Sequence, residues 1–371
     1  AKQCPACGYL HPILQGDGVD ICERCDQHLG GVLNQLFRLQ NVSTKRRDRI
    51  NCDEEERLRL GYELRTGIRF AERGGTASYQ TGTVETDGHA LAKLTYGHAA
   101  TLWRINLGWA RREKRNQLGF VLDTERGYWG SNKLLEEDDP DDPMSTNCTR
   151  VIPYVEDRKN CLLFETGEGL SPGQLYSLQA AITNAIQVRY QLEESEIAAE
   201  PLPDGSNPRL ILLYESAEGG AGVLRHLLDS PDALAEVARE ALRLCHFDPH
   251  TGRDLRRAPR ATEDCEAACY DCLMSYANQR QHDLLDRQCI KDILLALAGS
   301  AVHAGPAVLP RAEHFQRLQA LCDSELERTW LQMLETRNLR LPTSAQKYVY
   351  AGKTRPDFVY EGNYQIGRAH V

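Results

Sequence analysis

The spacing of apolar residues changes character along the chain. Val32, Leu33, Leu36 and Leu39 recur at intervals of three and four and predict a short helix. From Ile68 to Trp129 the pattern shortens to alternation. Ala90–Tyr96 and Leu102–Leu107 read as half-buried strands, and Gly119–Asp123 adds another. The Asp53–Leu64 region predicts a helix beside this antiparallel sheet. Helical spacing returns after Ser171-Pro172, where serine is a good N-cap and proline a good first helical residue. Leu175, Leu178, Ala181, Ile182, Ala185 and Ile186 carry that helix to about Glu194. The apolar run Ile211–Glu215 reads as a buried strand, and Ser216–Gly222 turns into a helix with Val223, Leu224, Leu227 and Leu228. Ser230-Pro231 repeats the start signal for a helix through Leu234, Val237 and Leu242, with Cys245 near its end. A last helix spans Leu285–Leu297.

With 371 residues the chain has room for two or three cores. No apolar run reaches the ~18–20 residues of a membrane span and no secretion signal is visible, which predicts a bacterial cytoplasmic location without membrane partners. The chain opens on Ala1 and reads as part of a longer protein. A net charge of −9 excludes a molecule that grips nucleic acid over its whole surface, so any such contact is local.

Thirteen cysteines without a secretion signal point to metal ligation in a reducing compartment. Cys4-x-x-Cys7 and Cys22-x-x-Cys25 have zinc-ribbon spacing, in a module too small to fold without its ion. His11 and His28 are possible substitute ligands, but four sulfurs already suffice, and both are expected at its surface. Cys265, Cys269 and Cys272 lie within eight residues, and with Cys245 they make a second four-cysteine set. Cys52, Cys148, Cys161, Cys289 and Cys322 remain as free thiols.

Other signals are weaker. Lys45–Arg49 is a basic run balanced by Glu54–Glu56. Arg111, Arg112, Lys114 and Arg115 lie near Trp103 and Trp109, and read either as a seat for a nucleic-acid strand or as a solvated hairpin tip. The acidic stretch 136–143 predicts an extended linker. Gly352-Lys353-Thr354 is not a phosphate-binding loop, because Lys347 stands where that motif needs glycine. No DEAD/DEAH-type box is present. Gly219–Gly222 reads as tight strand-to-helix packing or as a phosphate cradle.

Leu213-Tyr214-Glu215, Glu218–Gly222, the second cysteine set and Leu285-Asp286-Arg287 together resemble the MrfA-type zinc-binding domain over Ser171–Gly299. The resemblance implies a region on the C-terminal side of a superfamily 2 DNA helicase. That family presents its ligands as two pairs; here Cys245 stands alone, which makes His246 the alternative ligand. The order of modules is similar to the C-terminal third of the large helicase of Druantia antiphage systems, with DISARM-type relatives next. Ser324–Arg328 and Arg355–Tyr360 resemble the first half of a PD-(D/E)xK nuclease-like domain. The resemblance implies Asp357 as central Mg²⁺ ligand and Glu325 as the helical one; otherwise Glu325 is a surface charge and Asp357 caps a turn. The family's remaining acidic residue and lysine are not found. Ile366–Val371 reads as a translated sequencing adapter.

The expected fold is α+β and multi-domain. Residues 1–50 form a zinc ribbon and linker helix, 51–165 a β-rich domain, and 166–300 an α/β zinc-binding domain. Residues 313–364 form a truncated restriction-endonuclease-like segment, and 366–371 are set apart. The expected function is a helicase accessory region with two structural zinc ions and DNA as partner, ATP and Mg²⁺ belonging to the longer protein. The alternatives are a scaffold recruiting a defence subunit and an incomplete nuclease.

Overall fold

Two long strands carry the β structure. His89–Trp109 and Cys148–Thr166 pair antiparallel over Ala92–Ile105 and Tyr154–Thr166, at the centre of a ten-stranded sheet. The computed structural model describes residues 1–13, 20–40, 61–73, 76–135, 147–167, 169–217, 220–305, 311–337, 341–342, 344–346 and 355–359. Lys45–Arg49, Cys52, the start of the Asp53–Leu64 region, the 136–143 stretch, Glu218-Gly219, Gly352–Thr354 and the 366–371 tail lie outside these residues.

The expected strands Ala90–Tyr96 and Leu102–Leu107 are one strand with a defect between them. Register shifts between Lys159 and Cys161, Ala99 takes φ +49°, and its N–H donates to Asn160 Oδ1 at 3.1 Å. The strand is bulged there, not broken. Tyr62–Arg69 pairs with its outer half, so Leu64 lies in a strand, contrary to the expected helix. Gln80–Thr86 pairs with its first half, and Ala301–Ala304 lies beyond that.

The Cys148–Thr166 strand organises the other side. Phe120–Asp123 pairs with its start. Leu210–Glu215, buried at every position, pairs with 161–164, and Ile197–Leu202 lies beyond. Leu36–Arg38 joins in parallel beside Ile152–Tyr154, which replaces the expected helix there: Ile152 N–H donates to Gln35 O and Leu39 N–H to Tyr154 O, both at 2.9 Å. A short run with ambiguous spacing takes the conformation its neighbour can bond. The sheet therefore runs through the expected boundary at 165/166, and residues 1–71 and 80–305 form one compact unit.

Helices cover one face of this unit. Pro172–Tyr190 begins at Ser171 with a complete capping box: Gln174 N–H donates to Ser171 Oγ, and Ser171 N–H to Gln174 Oε1. The six apolar positions read from the sequence are all buried. Ala233–Leu244 starts from Asp232, not Ser230, which instead closes the Val223–Asp229 helix. The closing helix is shorter than expected, Lys291–Ala298, after a 3-10 turn at Gln288–Ile290. Their buried faces share one core with Leu94, Leu162, Phe164 and Leu213.

The second unit comprises 72–79 and 306–371. Its helices Arg311–Leu321 and Glu325–Thr336 pack around Leu318, Leu331 and Leu334, and Trp330 stacks on Phe358 at 4.7 Å. Ser344–Ala345 pairs with Phe358–Val359. Among the described residues no helix is long and apolar enough to cross a membrane.

Candidate metal centres

The first centre is built by two knuckles of identical design. In one, Gly8 N–H donates to Cys4 O and Cys4 N–H to Tyr9 O; in the other, Asp26 N–H donates to Cys22 O and Cys22 N–H to Gln27 O, all at 2.8–3.0 Å. Gly8 and Asp26 both take left-handed φ, +73° and +57°, as the reversal requires. The four sulfurs lie within 4.8 Å of one another, with separations of 3.5 Å for Cys4–Cys25 and Cys7–Cys25 and 3.7 Å for Cys7–Cys22. Tetrahedral zinc with Zn–S of ~2.3 Å calls for sulfurs ~3.8 Å apart, so the donor set fits the ion.

His11 is buried with 1% exposure, contrary to the surface position expected of it, and His28 is exposed. His11 Nε2 lies 3.4 Å from Cys22 Sγ. Contact with Cys7 first, and also with His11, holds the Cys22 thiol below its usual value. Arg24, inside the second knuckle, pairs with Glu165 at the end of the Cys148–Thr166 strand. Gln3 Nε2 donates to Thr66 O at 2.9 Å, and Arg69 Nη1 to Leu10 O at 3.1 Å. The ribbon is thus fastened to the sheet by side chains.

At the second centre the donors within 4.8 Å of one another are His246, Cys265, Cys269 and Cys272. His246 takes the place expected of Cys245. The Ala233–Leu244 helix ends at Cys245, which faces inward with no exposure and belongs to the apolar core. The next residue adopts φ +61°, and this reversal swings the imidazole toward the thiols, with Nε2 3.2 Å from Cys269 Sγ. Burial and the nearby Arg287 hold His246 below its usual value, which keeps it neutral as a ligand must be. Burial pushes the Cys245 thiol up to about 12.

Cys269 to Cys272 form a third knuckle. Cys272 and Leu273 N–H both donate to Cys269 O, and Cys269 N–H donates to Cys272 Sγ at 3.1 Å. Asn184 Nδ2, on the Pro172–Tyr190 helix, donates to Cys272 O at 2.8 Å. Arg287 lies behind the centre with 2% exposure and every N–H engaged. Nε and Nη2 donate to Cys265 O, Nη1 to Cys245 O, and Nη1 and Nη2 to the two Asp254 oxygens. The guanidinium also sits 4.9 Å from the Phe247 ring centre. It ties the end of one helix, the Asp254 turn and the first close cysteine into one frame. Its signal in the sequence was the Leu285-Asp286-Arg287 triplet, but its role was not read there.

Glu215, with 1% exposure, explains the glycine-rich turn. Its Oε1 accepts from Leu224 N–H at 3.1 Å, at the start of the Val223–Asp229 helix, and its Oε2 accepts from Asn160 Nδ2 at 3.0 Å. A Cβ at Gly220 would overlap that carboxylate. Leu224 N–H, at the start of that helix, is thus already served by this chain's own glutamate, and tight packing against it accounts for Gly220.

The basic loop divides. Arg112 is tied down by Glu63 at 2.7 Å and by the carbonyls of Trp109 and Arg115. Arg111, Lys114 and Arg115 are exposed. Trp109 lies beside them, whereas Trp103 stacks on Tyr154 at 4.7 Å. In the second unit Glu325 is exposed and pairs with Arg328 at 3.3 Å, and Asp357 is exposed. Neither belongs to a cluster of three or more metal-ligating side chains among the described residues. Cys148, Cys161, Cys289 and Cys322 are free thiols.

Residues 178–273 match the family of MrfA Zn-binding domains, a stretch that contains all four donors of the second centre. The chain is also similar to the crystal structure of the helicase MrfA bound to DNA, with 10% identity and a TM-score of 0.34, over 63% of this chain and 25% of that one. It spans about a quarter of that helicase's length. No curated protein matches it. The match to the MrfA Zn-binding domain family over 178–273 and the two four-donor groups together support about two structural zinc ions per chain.

Proposed function

We propose that this chain is an accessory region of an ATP-dependent DNA helicase, in which two zinc ions pin a sheet-and-helix platform that braces the motor and contacts DNA. The zinc ligands in this reading are Cys4, Cys7, Cys22 and Cys25, and His246, Cys265, Cys269 and Cys272. The observation that carries it is the closure of both centres within a chain holding an MrfA Zn-binding domain. Four protein donors leave no position for a reacting water, so zinc here supplies folding energy, not catalysis. ATP and Mg²⁺ belong to the motor. The order of modules favours an antiphage helicase of the Druantia type, with DISARM-type or repair helicases next.

Metal analysis together with gel shifts at low salt tests the proposal. Two zinc per chain and retardation of DNA are expected. Folded protein without zinc would overturn the structural reading, and absence of any shift with single- or double-stranded DNA would remove the DNA contact.

A further inference from the structure

A cleft of about 420 Å³ opens between the end of the His89–Trp109 strand and the Phe120–Asp123 strand. Two aromatic rings, Trp109 and Phe120, line it, and Tyr62 and Trp129 flank them as ring neighbours. Tyr62 stacks on Trp109 at 4.6 Å, Trp109 meets Phe120 edge-on at 6.3 Å, and Phe120 meets Trp129 at 6.0 Å. Trp109 and Trp129 nevertheless remain 49% and 51% exposed, so the row offers indole surface to solvent. Around the rings stand Arg111, Lys114 and Arg150, with Glu113 the one carboxylate among the described lining residues. Arg150 is held in place by Asn132 Oδ1 at 2.7 Å. Arg112 is already neutralised by Glu63. In a chain of net charge −9, this is a local reversal of sign beside half-exposed indoles.

We infer that the cleft binds single-stranded nucleic acid, with bases stacking on Trp109 and Trp129 and phosphates facing Arg111, Lys114 and Arg150. The inference rests on the proposed DNA contact and gives it a place and a strand state. Duplex bases are stacked on each other and present no free face, whereas an unpaired strand satisfies rings and cations together. An acidic peptide would answer the cations but leave the indoles unused.

The test is titration of a labelled oligothymidylate into the zinc-loaded full chain, read by anisotropy and tryptophan quenching. Oligothymidylate should bind more tightly than a duplex of equal length. Trp109→Ala and Trp129→Ala should each weaken binding by about 5- to 100-fold. Arg111→Glu with Lys114→Glu should flatten the salt dependence. Circular dichroism and zinc content control for folding; should Trp109→Ala unfold, Trp129→Ala and the charge reversals decide. An oligouridylate arm separates RNA from DNA, and preference for either supports the cleft. Unchanged binding in all variants would overturn the cleft while leaving the DNA contact standing. Failure to bind any nucleic acid would remove both. Tighter duplex binding, or competition by polyglutamate equal to that by oligothymidylate, would also overturn the inference.

Discussion

Arg287 meets Asp254 through two parallel N–H···O bonds, Nη1 to Oδ1 at 2.8 Å and Nη2 to Oδ2 at 3.0 Å. Its other donors hold two backbone carbonyls beside the second metal centre. Removing such a buried cation strands several acceptors at once. Arg287→Ala should therefore destabilise the first unit by about 3–5 kcal/mol. Lysine cannot reproduce the fork and should rescue little. A chromophoric chelator should find one zinc released early and the other retained.

The same pair sets an acid dependence. The Arg287 hydrogen bonds pull the Asp254 carboxyl from 3.8 down to about 2. A lowered acid stabilises the fold fully above its unfolded value, and that contribution fades as pH falls through the folded one. The stability gap between wild type and Asp254→Asn in denaturant titrations should be constant from pH 7 to about 5. It should begin to narrow as pH falls toward about 4, where protonation of the zinc ligands sets the lower limit of the comparison.

Metal content separates the two neighbours Cys245 and His246. His246→Ala should hold about one zinc per chain, against about two in wild type. Cys245→Ala should keep both ions and lose only about 1–2 kcal/mol, since it removes a small apolar group from the core. The reverse pattern would return Cys245 to the ligand set.

Gly220 has φ +69° and no space for a Cβ beside Glu215. Gly220→Ala should cost about 2–4 kcal/mol in thermal or denaturant unfolding, combining backbone strain with displacement of a buried carboxylate. Gly222, where a Cβ meets nothing within 4 Å, should tolerate asparagine far better.

What the sequence disclosed follows the range of the interactions. The ribbon was legible because each knuckle is local, a cysteine pair closed by its own backbone. The Ser171 cap was legible for the same reason: donor and acceptor lie three residues apart. Leu36–Arg38 was misread as helix because its bonds come from Ile152–Tyr154, which no local spacing encodes. The Cys245 and His246 exchange turned on one left-handed residue, and a non-glycine in that region leaves no mark in composition. Asn160 was invisible for a related reason. It joins the bulge at Ala99 to Glu215, and neither partner is its neighbour in sequence.

The Cys148–Thr166 strand has a mechanical consequence. Its start pairs with Phe120–Asp123 at the aromatic cleft, and its end pairs with the strand that feeds the zinc-binding domain. Nineteen extended residues make a rod of roughly 60 Å, clamped along most of its length by His89–Trp109. Load applied at the cleft acts in shear on a ladder of backbone bonds that must yield together. A strand of nucleic acid pulled there would drag the zinc-pinned helices as one rigid lever, with little slack between the point of grip and the point of support.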